Sequence, residues 1–124
     1  MAWILWGIII VLLSFLLYRR LVKPKFLTEL TEEEFKQGYR KAQLIDVREP
    51  REYDGGHILG ARNIPLSQLK QRITEIRKDQ AVYLYCQSGS RSKQAARVIQ
   101  KKTGNEDIYQ LKTGFKKWTG KIRK

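Results

Sequence analysis

Cys86, the one cysteine of the chain, stands in the run Tyr83-Leu84-Tyr85-Cys86-Gln87-Ser88-Gly89-Ser90-Arg91-Ser92. A thiol at the head of a string of small residues, with an arginine five positions on, is a pattern for nucleophilic chemistry. Small residues let consecutive backbone N–H groups turn toward one point, which makes an anion cradle. Arg91 adds positive charge, so the setting favours thiolate over thiol. The plain alternative is a small buried hydrophobe, and the loop argues against it. The other reactive types are scarce. A single cysteine rules out a cysteine-rich metal site, His57 as the one histidine argues against a histidine-based one, and no cofactor is called for.

The elements around Cys86 must hold it at a turn. Ala81 to Tyr85 is a short apolar run that reads as a strand, and Lys93 to Ile99 reads as a helix that Gly104 can end. The thiol therefore lies between a strand end and a helix start, where anions are favoured. Upstream, Thr31-Glu32-Glu33-Glu34 has capping-box spacing and predicts a helix to about Lys41. Leu44 to Val47 reads as a buried strand with Asp46 at its end, and Arg48 to Gly56 as a charged loop. Ala61 to Pro65 suggests a short extended segment. Leu66, Leu69, Ile73 and Ile76 recur at helical spacing, with Ser67 as a cap. Ile108 to Leu111 is a last strand, and Phe115 and Trp118 fit a short closing helix. Strands alternating with helices predict an α/β fold with a mostly parallel sheet and helices on both faces. Reactive loops in such sheets sit at the carboxyl ends of the strands, where Cys86 falls.

The N-terminal segment differs sharply from the rest. Residues 2–18 are uncharged, while all 25 basic and 12 acidic residues follow Tyr18. These 17 residues would span roughly 26 Å as a helix, and Leu21 and Val22 extend the span if Arg19 and Arg20 snorkel. Trp3, Trp6 and Tyr18 stand near its two ends, as interfacial aromatics do. A cleaved signal peptide would want positive charge before the apolar run and small residues at a cleavage site. The bulky Phe15-Leu16-Leu17-Tyr18 argues for an anchor instead. The division expected is a transmembrane anchor over 2–22, a linker over 23–27, a domain over 28–120 and a basic tail over 121–124. Arg19, Arg20, Lys23 and Lys25 follow the span, so the positive-inside rule puts the domain on the cytoplasmic side of the cell membrane, single-pass. A free thiol agrees with that reducing compartment.

Two blocks of residues carry a resemblance. One is Leu44-Ile45-Asp46-Val47-Arg48-Glu49-Pro50, continuing through Glu52-Tyr53, Gly56-His57-Ile58, Gly60-Ala61 and Asn63-Ile64-Pro65; the other runs from Tyr85 to Ser92. Gly114-Phe115-Lys116-Lys117-Trp118 is a weaker third. Together they resemble single-domain rhodanese-like sulfurtransferases, here with an added anchor. The resemblance implies a rhodanese-like α/β fold and a cysteine that carries sulfur as a persulfide. Cys86 matches the nucleophile, and Gln87, Ser88, Gly89, Ser90 and Arg91 match its substrate-binding loop. Asp46 and Arg48 match a supporting pair, and His57 a position that is not the catalytic base. Two departures stand out. Gln87 replaces a residue that is often basic, which weakens the case for thiosulfate, and Thr113 replaces the first of two glycines.

The expected chemistry is transfer of sulfane sulfur from a donor such as thiosulfate or a persulfide to a thiol or other thiophilic acceptor. A phosphatase is the nearest rival, but four residues separate Cys86 from Arg91 where related phosphatase loops have five. The alternative from another class is a rhodanese-like docking module at the membrane without turnover. The net charge of +13 is concentrated late: from Arg91 onward 11 basic residues face only Glu106 and Asp107. Apposition to a lipid bilayer with anionic headgroups is the favoured reading, ahead of an acidic protein partner. Nucleic acid is disfavoured, since no base-reading motif accompanies the charge. Oligomeric state is open.

Overall fold

The computed structural model describes residues 1–22 and 24–124, the Arg20 side chain excepted; Lys23, part of the expected linker, lies outside the described residues. Helix α1 (Ala2–Leu21) comes first, 20 residues or about 30 Å long. Its described side chains are all exposed, so α1 is no core helix. It is the one helix among the described residues long and apolar enough to cross a bilayer.

Strands β1 (Leu27–Leu30), β2 (Gln43–Asp46), β4 (Arg62–Asn63), β5 (Val82–Tyr85) and β6 (Ile108–Leu111) make one parallel sheet in the order β1-β6-β5-β2-β4. The three inner strands, β6, β5 and β2, are short and mostly buried on both faces, as parallel strands covered by helices are. On one face α4 (Ser90–Thr103) packs Ala95, Ala96 and Ile99 against Ile45, Val82, Leu84 and Ile108. On the other, α2 (Glu32–Gly38) seats Phe35 with Tyr39, Leu44, Tyr85 and Leu111. Thr31 and Glu34 form the expected reciprocal cap at the start of α2. Gly104 ends α4 in the left-handed conformation, with its N–H on the carbonyl of Gln100.

The structure corrects the sequence reading in two places. The charged stretch after Arg48 contains a helix, α3 (Pro50–Asp54), begun by a capping box between Glu49 and Glu52 and by proline in its first turn. Its cap is an acid where serine or threonine is usual, which hid the signal. The helix expected over Leu66 to Ile76 is instead two 3-10 turns, Leu66–Gln68 and Ile73–Glu75. Leu69 and Ile76 are still buried, and β-branched Ile73, Thr74 and Ile76 lower the case for a continuous α-helix. Ser67 lies inside the first turn and donates to Glu49 Oε1. The basic C-terminal residues add one more pairing. Strand β7 (Ile122–Arg123) pairs antiparallel with β3 (His57–Ile58).

Candidate active site

Cys86 follows directly on β5, at the carboxyl edge of the sheet, and the chain turns through Gln87, Ser88 and Gly89 into α4. The turn needs glycine. Gly89 sits at φ +106°, a region that side chains strain to enter. In that conformation its N–H points at the sulfur, with 2.9 Å from Gly89 N to Cys86 Sγ. Ser92, in the first turn of α4, stands 3.7 Å from the same sulfur. Its hydroxyl also bonds the Gly89 carbonyl at 2.9 Å and the side-chain amide of Gln110 on β6. Cys86 itself is fully buried, while Ser88 and Ser90 are exposed at the loop tip. The sulfur thus faces the Gly89 amide at a helix N-terminus, where negative charge is stabilised.

From behind, the loop is held by the segment after β6. Phe115 N donates to the Cys86 carbonyl at 2.8 Å and Lys116 N to the Gln87 carbonyl at 3.2 Å. Gly114, at φ +74°, lets the two strands of chain come this close, because a β-carbon there would collide with the Gln87 carbonyl. To one side stands a buried brace. Arg48 makes a paired contact with Asp46 through Nε and Nη2, the latter at 2.7 Å, and Nη2 also donates to the Gly56 carbonyl. Its Nη1 reaches Gln87 Oε1 at 3.1 Å, and its plane lies over the Phe115 ring. Burial opposes the Arg48 charge, but the hydrogen bonds and attraction from Asp46 outweigh it and hold the guanidinium above its ordinary pKa. Asn63 completes the brace by donating to the carbonyls of Asp46 and Arg48.

Arg91, expected in the substrate-binding loop, is paired in this structure with a carboxylate. Its two terminal nitrogens grip Glu52 of α3 at 2.6 and 2.9 Å. Those bonds, working against partial burial, lower the Glu52 pKa from 4.5 to about 2. In return, Glu52 raises that of Arg91. Both side chains are about one-third exposed, at 32% each.

The strand, buried cysteine, small-residue loop and helix follow one another inside the stretch that the family comparison covers. Residues 31–121 match the family model described as rhodanese-like domain. The chain belongs to the rhodanese-like family. Over 119 residues it is 58% identical to the uncharacterized protein YqhL of Bacillus subtilis, covering 94% of each chain. It is also 38% identical over 96 residues to the putative sulfur carrier protein YrkF of Bacillus subtilis, covering 75% of this chain and 51% of that one. Among solved structures, a rhodanese-related protein of Thermoplasma volcanium superposes with a TM-score of 0.70 at 22% identity, covering 77% of this chain and 97% of its own. The human single-domain sulfurtransferase TSTD1 gives 0.66 at 22% identity, covering 73% and 93%. At those identities the two structures speak for the fold.

Within the rhodanese-like domain, several site residues escape a reading along the chain. Nothing along the chain pairs Glu52 with Arg91, 39 positions away. Ser92 was visible in the motif, yet its link to Gln110 depends on β6 lying beside β5. For Gly114, the close approach of the Gln87 carbonyl that requires glycine exists only in the fold. His57 stacks on Tyr53 with ring centres 3.6 Å apart, and its Nδ1 lies 2.9 Å from the Tyr53 carbonyl. That is local packing.

Proposed function

We propose that the protein is a membrane-anchored sulfurtransferase whose Cys86 carries sulfane sulfur as a persulfide. The Gly89 N–H directed at Cys86 Sγ, inside a loop at a helix N-terminus, is the observation that carries this reading. Membership in the rhodanese-like family and the sulfur-carrier name of one relative support it. In the first step the Cys86 thiolate attacks the outer sulfur of the donor. A new S–S bond forms, the donor's own S–S bond breaks, and its remainder leaves with the electron pair as a thiolate, or as sulfite from thiosulfate. In the second step an acceptor thiolate takes the outer sulfur and Cys86 leaves as thiolate, with no net redox change. Such a sequence is covalent catalysis with ping-pong kinetics.

The charges favour a persulfide donor over thiosulfate. The Arg48 and Arg91 guanidiniums are each matched by a carboxylate, and Gln87 adds no charge. A dianion gains little there. Cys86 is fully buried, so a donor reaches the sulfur only when the cover over it opens. Burial would also suit the alternative, a docking module without turnover. Intact-mass measurement separates them: incubation with a persulfide donor should add one sulfur, about 32 Da, to the wild type and nothing to Cys86→Ser. No gain with any donor would refute the sulfurtransferase reading. For the anchor, α1 supplies the length and outward apolar faces, and the positive residues after it favour a domain on the cytoplasmic side.

A further inference from the structure

Among the described residues, Arg97 ties the end of α1 to the domain. Arg97, on the outer face of α4, donates from Nη2 to the carbonyls of Arg19 and Val22, at 3.0 and 2.9 Å. The last carbonyls of a helix lack partners within it and carry partial negative charge, so a guanidinium there satisfies both needs. The contact sets the height of α4. If α1 spans the bilayer, its C-terminal turn lies at the headgroups, and so does the face of α4 that holds it.

That face is basic. Lys93, Arg97 and Lys101 follow one another at intervals of four, which puts them in one stripe. The buried side of the same helix is Ser92, Ala95, Ala96 and Ile99, so the stripe points away from the core. Lys93 and Lys101 therefore flank the junction with α1. The sulfur loop opens at the near end of this helix, seven residues or about 10 Å along the axis from Arg97.

We propose that the outer face of α4 rests on anionic lipid headgroups, with Arg97 fixing the angle between anchor and domain. The inference rests on α1 being a membrane anchor. Docking of this kind holds the Cys86 loop near the bilayer plane and leaves the α2 side of the sheet turned to the water. Charge complementarity and continuity with the anchor select lipid as the partner.

Full-length protein placed in nanodiscs of phosphatidylcholine, alone or mixed with phosphatidylglycerol, tests this by lysine acetylation with a water-soluble reagent and peptide mass spectrometry. Lys93 and Lys101 should be modified about fivefold more slowly in the anionic discs. Lys36, on the opposite side of the sheet, should react equally in both. About 1 M salt should remove the difference, since it shortens the screening length to about 3 Å. In Arg97→Gln the protection of both lysines should fall while Lys36 reports an intact fold. Equal labelling in both discs, with the protein incorporated, would overturn headgroup docking alone and point to an acidic protein on this face. Protection that survives in Arg97→Gln would remove the role given to Arg97. Failure to enter the discs would overturn the anchor and this inference together.

Discussion

Glu52→Gln isolates the charge balance beside the sulfur. Glutamine keeps an oxygen for the Glu49 N–H that starts α3, so the local fold is spared. What it removes is the carboxylate that neutralises Arg91. A guanidinium about 7 Å from a dianion, at an effective dielectric of about 40 to 80, attracts it by about 1.2 to 2.4 kcal/mol. The kcat/KM for thiosulfate, followed as thiocyanate formed from cyanide, should therefore rise roughly eightfold to fiftyfold, while a singly charged persulfide donor should gain only about the square root of that, roughly threefold to sevenfold. Arg91→Gln leaves the Glu52 charge unpaired and should lower the thiosulfate value by a similar factor. The double variant should return near the wild type. Stability has its own signature. The fall of the Glu52 pKa from 4.5 to about 2 corresponds to at most about 3.4 kcal/mol, which exposure reduces to about 1 kcal/mol. Because the folded pKa is depressed, that contribution is complete above about pH 4.5 and disappears as pH falls toward 2. Urea titrations of wild type and Glu52→Gln should differ at pH 7 and converge near pH 2. Thiosulfate turnover unchanged within about twofold in Glu52→Gln would refute the charge argument.

Other substitutions test the supports of the loop. Ser92→Ala strips the hydroxyl from between Cys86 and Gln110, leaving a buried amide short of a partner. It should cost about 1–3 kcal/mol in chemical denaturation, and slow persulfide formation about tenfold. Asp46→Asn leaves Arg48 as a buried cation with a weakened partner and should destabilise by about 3–5 kcal/mol, lowering the thermal midpoint. Gly114→Ala forces a β-carbon against the Gln87 carbonyl. It should displace the loop, so that sulfur loading of Cys86, read by intact mass, drops more steeply than the far-ultraviolet circular dichroism changes.

Local signals carried much of this chain's design. The Cys86 loop, the strand before it and the helix after it were legible because small residues, an apolar run and Gly104 act over a few positions of backbone. The Thr31 cap and the apolar stretch of α1 were legible for the same reason. The Glu49 cap was missed because an acid filled a place usually held by a hydroxyl. The pairing of side chains from distant segments had no local trace. Arg91 meets Glu52, and Arg48 meets Gln87, because β5 lies beside β2 and brings the ends of both strands to one edge. Ser92 meets Gln110 because β6 is the next strand over. The chain's own residues thus set which atom can react and what kind of turn holds it. Which charges remain free beside it was decided only when the sheet put long, flexible side chains within reach of one another, since hydrogen bonds of about 3 Å depend on strand order and not on spacing along the chain.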